Sequence, residues 1–250
     1  MERKIIVVTA AYGRDCISAL GGQAAVLPVI AAAGADGVEI RRELLNSAST
    51  DELSALAHAI TAHQLTACYS APEALYLDDS TLNPAIPALL HEASLLNADW
   101  LKLSLGHYQP TQPQFTTLQQ WLAQSQVRLV IENDQTAFGR LAPMQRFAAD
   151  SRALSLPVPL TFDMANWLWV DESPEEAAQR LAPSVGYIHV KAAEVGERGV
   201  HAIALDDAGA RWPALLNMLP PDAPRGIEFP LQGSDLTDVT RHYVNLLRKE

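Results

Sequence analysis

Eight short apolar, β-branched runs recur along the chain, each followed by a longer stretch with helical periodicity, and this alternation leaves few folds open. The runs are Lys4–Thr9, Gly37–Arg41, Leu65–Ser70, Asp99–Ser104, Val127–Glu132, Pro159–Asp163, Gly186–Lys191 and Arg225–Phe229. Strands alternating with helices build a parallel sheet. Eight such units in 250 residues predict an α/β fold, a single (β/α)8 TIM barrel spanning residues 1–250. A doubly wound open sheet would carry a glycine-rich phosphate loop after its first strand, and Ala10-Ala-Tyr-Gly-Arg14 does not match one. No linker, low-complexity tract or shift of composition divides the chain.

Local signals agree with the intervals between strands. Ser49 and Glu52 form a capping box ahead of Leu53, Leu56, Ala57 and Ile60, which share one helix face. Ser173-Pro-Glu-Glu176 supplies a cap, a proline at the first helical position and a reciprocal acid. Ser234 is expected to cap the last helix. Pro28 inside the first helical stretch marks a kink or a late start.

Charge and composition narrow the function. With 29 acidic against 18 basic side chains the net charge is −11, a surface that repels phosphate backbones and excludes general nucleic-acid binding. A small-molecule sugar or polyol is the better partner. Cys16 and Cys68 give neither a disulfide framework nor a metal-ligand spacing, which suits a reducing cytoplasm. The apolar run after Met1-Glu-Arg-Lys4 is too short for a secretion signal and reads as a buried first strand. No segment approaches the roughly 18 apolar residues of a membrane span.

In a barrel of this kind the C-terminal strand ends form the active site, and alternation along each strand decides which side chains point inward. Glu132 and Asp163 each end an otherwise apolar run. Tyr187, His189 and Lys191 share one face of their strand, and Glu228 turns inward between Ile227 and Phe229. Four consecutive strands therefore each deliver one metal-competent side chain at one level. Taken singly, each of these residues is more often a helix cap, a solvated loop acid or a hydrogen-bonded core histidine. Four in register point instead to one divalent metal ion held by Glu132, Asp163, His189 and Glu228. Three carboxylates and an imidazole suit Mn²⁺, Mg²⁺, Co²⁺ or Zn²⁺.

The order and spacing of Gly34-Ala-Asp-Gly-Val-Glu-Ile-Arg41, Ile131-Glu-Asn-Asp-Gln-Thr136, Phe162-Asp163, Ile188-His-Val-Lys191 and Ile227-Glu228 resemble the xylose isomerase-like barrel superfamily, which also contains the AP endonuclease family 2 domain. The resemblance covers essentially the whole chain and is greatest to the sugar (or sugar-phosphate) isomerase/epimerase group. It implies a metal that chelates a carbonyl and an adjacent hydroxyl of a polyol, with Glu132 and Glu228 as the catalytic acid/base pair. Two positions depart from the ketose epimerases: Asn166 stands where they carry a histidine, and Val195 where they carry an arginine. Lys191, two after His189, is similar to the His-x-Lys of dehydratase branches.

Further candidates lie around this ring. Glu39 and Arg41 on the second strand bind substrate or form a structural ion pair, and Lys102 carries the same ambiguity. His107, Arg198 and His201 are expected in loops on the catalytic rim, Arg198 as a clamp for an anionic substrate group. Asn166 can orient a hydroxyl. Trp167, with Trp169, offers either a stacking face for a sugar or an interface in a homo-oligomer. His58, His63, His91 and His242 are read as helix-surface residues. The alternative activity is an inosose or dehydroshikimate dehydratase-like lyase. A DNA-repair endonuclease would need several more histidines, and a non-catalytic barrel would retain no metal.

Overall fold

The computed structural model describes residues 3–111, 114–156, 158–197 and 199–250. Its strands are β1 (Ile5–Val8), β2 (Gly37–Arg41), β3 (Thr66–Tyr76), β4 (Ala98–Gly106), β5 (Arg128–Glu132), β6 (Leu160–Asp163), β7 (Val185–Val190), β8 (Ala192–Gly196), β9 (Gly199–Ile203) and β10 (Arg225–Ile227). All but β8 and β9 close into a parallel barrel in sequence order, and β10 pairs back onto β1. The eight expected strands are these eight, and the fold is the expected (β/α)8 barrel.

Its helices are α1 (Arg14–Ala19), α2 (Leu27–Ala32), α3 (Thr50–Ala62), α4 (Ile86–Leu95), α5 (Phe115–Ala123), α6 (Leu141–Ala153), α7 (Pro174–Leu181), α8 (Arg211–Leu216) and α9 (Leu236–Lys249). Pro28 marks a late start, because it sits in the first turn of α2 after a separate short α1. The Ser49 hydroxyl accepts from the Glu52 N–H. The Glu52 carboxylate accepts in turn from the N–H groups of Asn46, Ser47 and Ala48, so it ties down the whole approach to α3. Asp235 rather than Ser234 caps α9, taking the N–H groups of Thr237 and Asp238. Among the described residues no helix is long and apolar enough to cross a membrane.

Alternation divides the apolar side chains into two sets. Val7, Val38, Leu101, Leu103, Ile131, Ile188 and Ile227 face the helices and bury fully, each contributing about 1.5–3 kcal/mol. The barrel interior holds a small separate cluster of Ile6, Cys68, Trp100, Val130 and Tyr187, with the Trp100 and Tyr187 rings 4.8 Å apart. These fill the lower barrel. Above them the inward positions turn polar.

Two regions differ from the sequence reading. β3 and β4 run on to Tyr76 and Gly106 beyond an irregularity between Ser70 and Ala74, where Pro72 cannot donate to the ladder. Gly106 has φ +69, and a Cβ there would lie 2.0 Å from the Tyr76 carbonyl oxygen. The stretch after β7, read as a loop, is an antiparallel hairpin of β8 and β9. It carries no apolar alternation because little of it is buried, so nothing in its pattern marks it as strand.

Candidate metal centre

Four strand ends converge above the Tyr187–Trp100 plug. Glu132 is the last residue of β5, Asp163 the last of β6, His189 the penultimate residue of β7, and Glu228 follows β10. Parallel register holds Asp163 beside His189. One ligand atom from each of Glu132, Asp163, His189 and Glu228 lies within 4.8 Å of the others, so the proposed ligand set meets in space.

The imidazole is oriented from below. His189 Nε2 lies 2.9 Å from Glu39 Oε2, and the Tyr187 hydroxyl donates to the same oxygen at 2.8 Å. All three residues are buried. With Nε2–H given to Glu39, only Nδ1 faces the acids, 2.6 Å from Glu132 Oε1 and 3.1 Å from Glu228 Oε2. Glu132 Oε1 and His189 Nδ1 are buried, and neither makes a hydrogen bond of acceptable geometry despite their closeness. The surrounding acids raise the His189 pKa against burial, so the imidazole holds a proton on Nδ1 here; once a divalent cation displaces that proton, these crowded atoms, with the far nitrogen fixed by a carboxylate, are its donor set. The residues therefore fit the metal that the sequence implied. Gly226, beside His189 in register, makes room for this arrangement. A Cβ there would lie 2.2 Å from the Tyr187 hydroxyl and 3.0 Å from His189 Cδ2.

Each acid also has its own cation. Lys102 Nζ makes a buried ion pair with Glu132 Oε2. Arg41 reaches Glu228 Oε1 through Nη1 at 2.8 Å and Glu43 Oε1 through Nε at 2.8 Å. Lys191 Nζ lies 3.3 Å from Asp163 Oδ2, 3.2 Å from Asn166 Oδ1 and 3.5 Å from Glu228 Oε2. Burial pushes the Glu132 carboxyl up, but Lys102 and His189 outweigh it and hold it at about 2. The same contest leaves Glu228 well below the usual range, against Lys191, His189 and Arg41. For Asp163 burial wins, reinforced by Glu228 and Glu132 over Lys191, and its carboxyl rises to about 7.

Two side chains that the sequence reading did not select align the strand ends. Asn133 donates through Nδ2 to the Asp163 carbonyl at 3.0 Å and accepts from the Asp163 N–H at 2.8 Å, stitching β5 to β6 where Asp163 leaves the ladder. Asp163 Oδ1 then accepts from the N–H groups of Ala165 and Asn166, which turns Oδ2 toward the site. Gln23 clamps β2, accepting from the Arg41 N–H at 2.8 Å and donating to the Arg41 carbonyl at 2.9 Å. Buried amides that satisfy backbone groups leave no hydrophobic periodicity to read.

The remaining candidates separate by position. Glu39 and Lys102 lie buried below and beside the ring, so they act on its ligands rather than on a substrate face. Trp167 is fully buried against Phe162 at 5.4 Å and presents no ring to a sugar, which corrects the stacking expectation. Trp169 is the half-buried partner, its ring centroid 5.6 Å from Lys191 Nζ. His107 stacks on Phe138 at 3.7 Å and reaches Asp78 at 3.1 Å on the rim. His201 sits on β9 rather than in a loop and pairs with Glu194 at 3.0 Å. Asn166 faces Lys191 and Gln135. Arg198 lies outside the described residues. His58, His91 and His242 are exposed and His63 half-buried, as surface residues should be.

No protein-family model matches the chain, and no curated protein is similar to it in sequence. Solved structures are similar in fold. A xylose isomerase domain containing protein from Salmonella typhimurium LT2 superimposes with a TM-score of 0.71 at 14% identity, over 100% of this chain and 97% of that one. The chain shares the TIM-barrel fold of that protein. A probable 3-DHS dehydratase of Bacillus anthracis, involved in petrobactin synthesis, gives 0.69 at 12% identity over 98% of both chains. A D-psicose 3-epimerase of Clostridium cellulolyticum H10, solved with D-tagatose, gives 0.63 at 13% over 98% of both.

Proposed function

We propose that the protein is a metal-dependent sugar or sugar-phosphate isomerase/epimerase that moves a proton on the carbon next to a carbonyl. The observation that carries this reading is the convergence of Glu132 and Glu228 on His189 Nδ1 at one level of the barrel, each carboxylate kept ionised by its own cation. A divalent ion held by Glu132, Asp163, His189 and Glu228 would supply Lewis-acid polarisation of the substrate carbonyl. Glu132 and Glu228 are the two bases: one removes the proton and the other returns it. Arg41 and Lys102 hold them in place. Asn166, fixed by Gln135 and Lys191, presents an amide to a substrate hydroxyl.

A dehydratase reading shares the first proton transfer and then needs an acid for the departing hydroxyl. Lys191 is poorly suited to that step. Burial lowers its pKa, but Asp163 and Glu228 outweigh burial and raise it, so it keeps its proton. Incubating the manganese-loaded protein with ketoses and keto-cyclitols in D2O tests both readings. Deuterium at the carbon next to the carbonyl, with stereoinversion or carbonyl transposition, is expected, and Glu132→Gln or Glu228→Gln should slow it by about 10²–10⁴-fold. Loss of water in place of inversion replaces the isomerase reading with the lyase.

A further inference from the structure

The opposite end of the barrel holds a second concentration of charge, of the other sign. The N-terminal ends of β1, β4 and β5, the segment before β10 and the last turn of α9 enclose a cavity of about 950 Å³. Arg3, Lys4, Arg128, Arg248 and Lys249 line it, against only Asp99 and Asp222. That gathers five of 18 basic side chains into one cavity of a chain whose net charge is −11.

Part of this has a structural reason. Arg248 is held by Asp36 at 2.7 Å, and Arg3 Nε donates to the Pro221 carbonyl at 3.2 Å. Arg248 and Lys249 also complement the C-terminal end of the α9 dipole. Lys4 and Arg128 have no such reason. They stand where strands begin, and among the described residues neither they nor Lys249 enter an ion pair.

Two further observations are independent of the surface charge. Trp100 is 4% exposed, lines this cavity, and has the Arg128 guanidinium 5.4 Å from its ring centroid. Its Nε1–H is buried and has no acceptor among the described residues. A buried donor left without a partner is destabilising. Adjoining the cavity, the Arg225 guanidinium is also buried, with Nη1 donating to the Leu247 carbonyl at 2.6 Å and Nε without an acceptor. Burial, with Arg3 adding to it and Glu250 opposing, pushes its pKa down to about 10.

We propose that this floor cavity binds a small phosphate-bearing molecule, its phosphate oxygens meeting Lys4, Arg128 and Lys249 beside the Trp100 side chain. A multivalent oxyanion is the ligand that matches these three cations together, since the guanidinium fork and the ammonium groups each match a phosphate edge.

The test uses the whole protein freed of metal with EDTA, so that the acid ring at the other end cannot recruit the probe through a bound ion. Inorganic pyrophosphate is titrated calorimetrically. Saturable one-site binding is expected, weakened at least about tenfold in Lys4→Ala/Arg128→Ala, whose two side chains are exposed. The indole ¹H–¹⁵N cross-peak of Trp100, identified by its loss in Trp100→Phe, should shift as pyrophosphate saturates. Orthophosphate and a hexose phosphate distinguish the source: tighter binding of the second assigns the cavity to a phosphorylated metabolite, tighter pyrophosphate binding to the free oxyanion. Absence of saturation below millimolar concentration overturns the proposal. So does equal affinity in the double variant, or binding that leaves the Trp100 cross-peak unmoved.

Discussion

The two ends of the barrel are built from the same eight strands and treat charge in opposite ways. At the mouth, Glu132, Asp163 and Glu228 are each matched by Lys102, Lys191 or Arg41, and all are largely buried. At the floor, Lys4, Arg128 and Lys249 stand exposed with no acid of their own among the described residues. The difference follows from desolvation. A charge taken out of water needs a partner close by, whereas one left in water does not. The mouth is consequently a place where removing one charge strands another, and the floor a place where removing one charge strands nothing.

That contrast can be broken at several points. The largest effect is expected from Lys102→Met, which leaves the Glu132 carboxylate buried without its cation. Denaturant unfolding of the metal-free protein should show a loss of about 3–5 kcal/mol. Much of it should return in Lys102→Met/Glu132→Gln, because the two sites couple. Next comes Glu39→Gln. It keeps the shape below His189 but removes the charge that fixes Nε2–H, so Mn²⁺ affinity measured by chelator competition should fall about 10–100-fold. An unchanged affinity would mean that His189 needs no orienting partner. Arg128→Ala at the floor should alter stability by no more than about 0.5 kcal/mol, and a loss as large as that of Lys102→Met would erase the distinction between the two ends.

The smallest effect belongs to a pair outside both charge clusters. Arg211 grips Glu175 through two contacts of 2.6 and 2.9 Å and holds its carboxyl at about 2, below the ordinary 4.5. A lowered folded-state pKa contributes stability above pH 4.5 that is lost as the pH falls toward 2. Both side chains are substantially exposed, so screening limits the contribution to a few tenths of a kcal/mol. Comparing acid unfolding of the protein with Glu175→Gln measures it.

How far the sequence could be read follows the same division. The barrel was legible because eight apolar runs each carry the burial of a strand, and the meeting of Glu132, Asp163, His189 and Glu228 because they close or follow such runs. Glu39 was visible as an inward acid, but its role was not, since no pattern in one strand shows that it meets a histidine and a tyrosine from another. Asn133 and Gln23 were missed for a related reason: their partners are backbone groups, which every residue has. Trp167 was misplaced because Trp167 and Trp169 flank one residue in a tight turn, and the turn alone decides which ring is buried. The β8–β9 hairpin was hidden because its pairing is with itself and not with the core.

Gly226 gives the mouth a history as well as a shape. It holds no ion and donates no proton, yet a single methyl group there would displace the Tyr187 hydroxyl and press on His189. Substitutions at these two positions therefore have an order. Tyr187 must shrink before position 226 can grow, and a chain that takes the steps in reverse passes through an intermediate with its histidine unrestrained. A barrel with a side chain at this position must steady the imidazole by some other route.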